Sequence, residues 1–478
     1  MPFNIRRKKH RQGSALAYAL VVLAATSIIL VSILGFISSQ IRNASYTLSR
    51  EQAFQAAEQG IQFYKWYLAH QTDGRTAAQI SAFWSSGTAY GVASDYVADV
   101  ADPSGGDMGT YRLKVTPPAS GSTIVTVTST GEMNRFPGST RTIRVRFRRP
   151  SWSENMVLAN DDMRFGEGTV VTGKIQSNKG IRFDGYANNV VSSALTSYTD
   201  PDHSGGSEFG VHTHVNAPPS TGSTDSFRPL EAPPNAVPAR PDVFAAGRQL
   251  GVASTDFNGV IAVLADMKAN SNVSPNKYFA SSGNSSSGRK IVLKPNHTFD
   301  TATVTYNTLT QDIISTGSVS NYSIPKNGII FVEGNITLSG QINGDKITVV
   351  AANLTGSGAY ASVYIPNDLL YTNFDGSDVI GVIAQQDVNV PYGSDTNLVI
   401  DAALVAQKGK VGRYNYGDHK DSITVNGAIA TNERYGFAYI DGTGYTDRYL
   451  NYDNNLLYYP PPYFPTGTQY QVDLWEEL

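Results

Sequence analysis

Residues 6–37 read RRKKHRQGSALAYALVVLAATSIILVSILGFI, and this stretch decides how the chain begins to fold. Arg6, Arg7, Lys8, Lys9 and Arg11 come first, then 24 uncharged residues (14–37); no charged side chain occurs between Arg11 and Arg42. At about 1.5 Å per residue the uncharged run spans about 36 Å as a helix, enough to cross a bilayer with some tilt. The charge asymmetry predicts that residues 1–13 stay cytoplasmic and that the chain beyond the span lies outside. The run is longer than the apolar core of about 7–15 residues in a cleaved secretory signal.

Helical spacing continues past the apolar run. Ile37, Ile41, Ala44 and Leu48 fall on one face, and Ala57, Ile61, Tyr64 and Leu68 repeat the pattern without an intervening Pro. The expectation is one helix over 14–70, with 14–37 membrane-spanning and the rest amphipathic. A helix built in this way is suited to reside in lipid first and pack against other helices later.

The basic leader ending in Gly13, the uncharged helix and the following EQAFQAAE (51–58) resemble type IV pilins and pseudopilins, in particular the PilX-like minor-pilin N-terminal domain. The resemblance covers about residues 6–70. It implies a prepilin leader (1–13) cut after Gly13 by a prepilin peptidase, N-methylation of Ser14, and helix assembly through positions including Tyr18, Phe54 and Glu58. The family's major pilins carry Glu at the fifth mature position, where this chain has Tyr18, as tip-capping pseudopilins lack that acid. Removal of the leader would take the net charge from −3 to −8.

The remaining chain reads as mainly β. Residues 71–150 show alternating segments at 111–115, 123–129 and 140–147, a small antiparallel sheet completing a pilin-like α+β module. The alternating Arg141, Arg144, Arg146 and Arg148, with Arg149, read as the solvated face of an edge strand. From 151 a repeat of short apolar strand, Asn/Asp/Gly/Gln turn and second strand appears. LANDDMRF (158–165) aligns with QSNKGIRF (176–183), and the pattern returns at 331, 383, 405 and 429. Such rungs predict a β-solenoid of the parallel β-helix kind over 151–197 and 328–445, the two blocks sharing one stack; a β-sandwich is the alternative. The Pro/Gly/Ser-rich segment 198–327 reads as an insertion, with 198–242 an extended connector and a short helix near 257–269. Residues 446–478, aromatic and Pro-rich, read as a strap over the stack.

Composition limits the functions. The chain has 478 residues, 16% charged, with 44 Gly, 27 Tyr and no Cys. It is neither a disordered polyelectrolyte nor a basic nucleic-acid binder, and it has no disulfides, thiolate metal sites or cysteine nucleophile. Asp202, His203, His212 and His214 form a weak metal candidate, with Asp200 and Glu208 nearby; their spacing matches no metal motif. Asp-rich turns at 368–378 and 441–447 lack an ordered calcium spacing, so no cofactor is expected. Asp387, Glu333 and Asp401 are the acids a solenoid hydrolase would use, but no spacing isolates a pair. Tyr414, Tyr416, Tyr435 and Tyr445 are candidate surface aromatics. The expected function is non-enzymatic: a minor pilin, at the tip or initiating end of a type IV pilus or related filament, displaying its solenoid for adhesion or assembly. Its expected partners are prepilin peptidase, other pilins, the inner-membrane pilus platform, membrane lipid before assembly, and a surface or polysaccharide ligand. The alternatives are a membrane-tethered solenoid enzyme or lectin acting on polysaccharide, and an unprocessed single-pass surface structural protein.

Overall fold

In the computed structural model, α1 runs without a break from Gln12 to Thr72, 61 residues and about 92 Å. The structure describes residues 12–478 apart from 76, 103, 119–121, 258–259, 282–285, 327, 357 and 468. Most of the leader (1–11) lies outside the described residues. The amphipathic half packs later than its periodicity predicts: Ile37, Ile41, Ala44 and Leu48 stay exposed, and burial begins at Ser49. From there Ala53, Ala57, Ile61, Tyr64 and Leu68 pack on an antiparallel sheet. The sheet order is β1 (Tyr96–Ala101), β2 (Asp107–Thr116), β3 (Ile124–Met133), β4 (Thr140–Arg148), and then the chain's last strand, Gln471–Glu477.

Helix and sheet touch backbone to side chain because two glycines leave room. A Cβ on Gly131 would stand 2.0 Å from the carbonyl oxygen of Ala53, and one on Gly60 would stand 2.4 Å from Ser129 Oγ. One face of the strands buries Leu113, Val127, Ile143, Val145 and Phe147 against α1. A short helix, α2 (Ala77–Ser85), closes the end, where Trp84 Nε1 donates to Tyr470 Oη at 3.1 Å.

The expectation that β4 is an edge strand is wrong. Its arginines face the acids of the C-terminal strand: Arg144 with Glu476 (3.0 Å), Arg146 with Asp473 (2.9 Å), Arg148 with Asp473 (3.3 Å) and Arg141 with Glu477. Alternating charge on two antiparallel strands is cross-strand complementarity, and the partner lies more than 300 residues away in sequence. The strap reading of 446–478 is corrected accordingly. Gly444–Tyr452 is itself a solenoid strand, Leu456 and Phe464 pack on the solenoid flank, and Gln471–Glu477 completes the sheet.

Between β4 and that last strand lies the solenoid. Its rungs pair in parallel, which sets aside the sandwich alternative. One stack runs Lys277–Phe279, Gly328–Val332, Lys346–Ala351, Val379–Ala384, residues 403–406 and 429–431, then Val157–Ala159, Ile175–Ser177, Val191–Ser193 and Arg248–Leu250. A second runs from residues 340–342 through 369–371, 397–402, 422–427 and 444–452 to Thr169–Thr172 and Tyr186–Ala187. Strands such as Val379–Ala384, buried at every position, carry continuous apolar sequence because parallel strands are covered on both faces. The repeat asparagines stack as a ladder: Asn178 donates to Asn160 (2.8 Å) and Asn160 to Asn432 (2.9 Å).

The blocks share one stack in reversed order, the 328–440 block preceding 157–193. The chain starts mid-stack at Val157 and builds to one end. It crosses the flank through α3 (Val260–Ser271), which packs on Ile329 and Phe331, and restarts at the other end. The segment 198–242 is therefore not a connector. Residues 198–327 as a whole contribute the rung strands Val211–His212, Arg248–Leu250, Lys277–Phe279 and Ser287–Lys294. Both junctions meet: Trp152 N–H donates to Pro465 O (3.1 Å) and Gly467 N–H to Pro150 O (2.7 Å).

Gly131→Val should cost about 2–3 kcal/mol of stability in the helix–sheet module, measured by hydrogen exchange of β3 amides. By the same measurement on β4, Asp473→Ala, which removes a well-covered carboxylate serving two guanidiniums, should cost about 2 kcal/mol. Glu476→Ala, at a more exposed pair, should cost less than about 1 kcal/mol.

Candidate functional site

The first half of α1 is apolar on every side and touches nothing else in the molecule. Leu16, Leu20, Leu23, Leu30, Leu34 and Phe36 are all exposed. Two of its hydroxyls turn back on the helix: Thr26 Oγ1 donates to Leu23 O (3.0 Å) and Ser32 Oγ to Ile28 O (2.8 Å). A continuous helix satisfies its own backbone groups, so this segment can lie in hydrocarbon. It is the one helix among the described residues long and apolar enough to cross a membrane.

The residues named from the resemblance distribute along this helix. Gly13 and Ser14 fall in its first turn, and Tyr18, 73% exposed, sits in the apolar half. Phe54 lies in the packed half, half-buried, with Trp475 edge-on at 6.0 Å and the Arg141 guanidinium 5.5 Å from its ring; Glu58 is exposed. The free surface thus ends where the C-terminal strand begins to cover the helix.

The surface-tyrosine reading fails at two positions. Tyr445 is fully buried, its hydroxyl donating to Asp395 O (2.6 Å), and Tyr435 is stacked on Phe165 inside the solenoid. Both side chains point inward because their rungs present those positions to the core. Tyr414 and Tyr416 are half-buried and tied to neighbouring turns, Tyr414 to Asp387 and Tyr416 to Gln311 and Asn389.

The candidate acids are engaged on separate rungs. Asp387 accepts from Lys410 N (2.8 Å), Glu333 pairs with Lys268 of α3 (2.5 Å), and Asp401 accepts from Tyr371 N (2.9 Å) and Asn426 Nδ2 (2.8 Å). Burial pushes the Asp401 carboxyl up against the opposing pull of these two bonds. The Asp-rich turns are Asx turns. Thr443 N–H and Oγ1 both donate to Asp441, holding its carboxyl at about 2, and Ser377 N–H and Oγ both donate to Asp375.

The histidines behave unlike solvated connector residues. Asp200, His203, Glu208, His212 and His214 converge so that one ligand atom of each lies within 4.8 Å of every other, and all but His203 are buried. Asp202 does not belong to the group. It turns away to Arg434, which it meets at 2.9 Å, and to Arg164 at 3.4 Å. Burial follows from Val211–His212 pairing with Ile181–Phe183 as a rung, which local composition rich in Pro and Gly concealed.

No family model matches the chain, and no curated protein matches it. Among solved structures the chain is similar to the competence-associated pilin ComZ from Thermus thermophilus, with 14% identity, 90% of this chain and 98% of that chain covered, and a TM-score of 0.32. A likeness at that score assigns no function. The architecture itself is a long apolar N-terminal helix packed on an antiparallel sheet and followed by a parallel β-solenoid.

Tyr435→Ala should lower solenoid stability by about 3–5 kcal/mol in thermal unfolding. A tyrosine serving as a ligand platform would instead lose ligand with stability unchanged.

Proposed function

We propose that this protein is a pilin-like filament subunit whose helix is stored in the cytoplasmic membrane, N-terminus inside, and later packs among sister helices. The observation that carries this reading is the contrast within α1. Residues 16–48 are almost wholly uncovered, while residues 53–68 are clamped on a sheet. An uncovered apolar helix of this length needs lipid or other helices around it, and a folded module at its far end stays in water.

Cleavage after Gly13 by a prepilin peptidase and methylation of Ser14 belong to the same proposal, as do the other pilins and the membrane platform as partners. Tyr18 lacks the charge with which the family's Glu meets a neighbour's terminal amine, so the proposal gives the subunit a terminal or initiating place. Mounted between β4 and the last strand, the solenoid would be carried outside as a display or priming module, without catalysis. The acids at Asp387, Glu333 and Asp401 are each engaged by structural partners (Lys410 N–H, the Lys268 ammonium, and Tyr371 N–H with Asn426), which favours that choice over a polysaccharide hydrolase.

Intact mass of the membrane-extracted protein should show loss of residues 1–13 and gain of one methyl group. Gly13→Leu should retain the leader, insert in the membrane and fail to enter filaments. Wild-type protein that keeps residues 1–13 would remove the assignment.

A further inference from the structure

We propose that Asp200, His203, Glu208, His212 and His214 form a closed structural site for one Zn²⁺-class divalent cation at the terminal rung of the solenoid. Three short segments bring the ligands together. Ser197–Tyr198 pairs antiparallel with Glu208–Phe209, which sets the turn carrying Asp200 and His203 over Glu208. Val211–His212 is the last strand of its ladder, and two-residue alternation along an extended chain puts His212 and His214 on the same side.

The ring orientations are set from outside the cluster. His214 Nδ1 lies 2.7 Å from Thr224 O and His203 Nδ1 lies 3.3 Å from Ser204 O. A carbonyl only accepts, so Nδ1 carries the proton in both rings and each Nε2 offers a lone pair inward, the arrangement by which second-shell carbonyls orient metal-binding imidazoles. The carboxylates are held similarly: Asp200 Oδ1 accepts from Asp202 N (2.9 Å) and Glu208 Oε1 from Arg228 N (2.9 Å). Left facing one another are lone pairs. Asp200 Oδ2, His212 Nε2 and His214 Nε2 have no hydrogen-bond partner although fully enclosed; His212 Nδ1, which carries that ring's proton when Nε2 is the inward lone pair, is unpartnered as well.

Spacing decides between a shared proton and a shared metal. His203 Nε2 is 2.9 Å from Glu208 Oε2 and 3.6 Å from Asp200 Oδ2. His212 Nε2 is 3.3 and 3.5 Å from the same two oxygens, and His214 Nε2 is 3.2 Å from Glu208 Oε1. Charge-assisted hydrogen bonds are about 2.7–2.9 Å long, which fits one of these five contacts. Five ligand atoms at about 2.0–2.1 Å around one Zn²⁺ stand about 2.9–3.6 Å apart at the 90° and 120° angles of five-coordination, which fits all five contacts.

Charge gives the same answer. The nearby arginines are committed elsewhere, Arg182 to Asp184 (2.7 Å) and Asp225 (2.6 Å), Arg434 to Asp202. A divalent ion balances two carboxylates among three neutral imidazoles. Three imidazoles select borderline metals over Ca²⁺ or Mg²⁺, and a five-ligand buried set makes the site structural. There it would tie the turn at 200–203 to the strands at 208–212 at the end of the stack.

The test uses untagged full-length protein in detergent micelles, stripped with chelator, reloaded with Zn²⁺ and desalted. Elemental analysis should find one zinc per chain, the thermal midpoint should rise on the order of 5 °C at saturation, and Co²⁺ should give a visible d–d band that excess Ca²⁺ leaves intact. His212→Ala should abolish retention. Because that variant removes a buried ring from a strand, His203→Ala, on the turn and with its β-sheet circular dichroism checked because its side chain is also covered, should weaken binding at least about tenfold. No retained zinc and no shift in the wild type, or zinc binding in folded His203→Ala equal to wild type, would overturn the site and leave an imidazolium–carboxylate charge cluster.

Discussion

The pairing of β4 with the C-terminal strand is the constraint on which the rest of the molecule depends. Five arginines at 141–149 follow one another along and just beyond β4, and Asp473, Glu476 and Glu477 arrive to meet them only after more than 300 intervening residues. That closure turns the solenoid from an appended domain into an insertion held at both ends. It also explains the reversed stacking. A chain that must leave and return at one place does best to start mid-stack, build to one end, cross the flank on α3 and return, so that Pro150 and Gly467 meet.

Closure of the sheet also completes the platform under α1. Trp475 packs on Phe54 and Arg141 lies over the same ring, at the point where the helix passes from free to covered. Close approach there requires Gly60 and Gly131, since any Cβ would collide with Ser129 or Ala53. A rigid grip on residues 53–68 lets residues 16–48 project as a single rod. A rod gripped at one end can exchange lipid for other helices without unfolding the domain that it carries.

Local features were legible in the amino-acid sequence and distant ones were not. The apolar run at 14–37, the alternation in β2 to β4 and the rungs with their Asn160 and Asn178 turns each depend on neighbours a few residues apart. The arginine strand was misjudged as an edge because its partner is remote. Tyr435 and Tyr445 were misjudged because a rung's inward positions depend on register within the stack. The segment holding His203, His212 and His214 looked like a connector because Pro and Gly dominate it; two-residue strands that pair with Ile181–Phe183 leave almost no periodic signal. The one local cue was His-x-His itself, which places two imidazoles on one side of an extended chain.

Since the chain has no native cysteine, the closure can be tested with a designed pair. Arg144 and Glu476 are register partners across β4 and the last strand, whereas Lys114 lies on β2, two strands further in. Mild oxidation of the Arg144→Cys, Glu476→Cys double variant should give an intramolecular disulfide in nearly every molecule, and Lys114→Cys with Glu476→Cys should give none. Failure of the 144–476 pair to close, with β4 amides exchanging as an open edge, would contradict the account that the last strand completes this sheet and holds the solenoid within it.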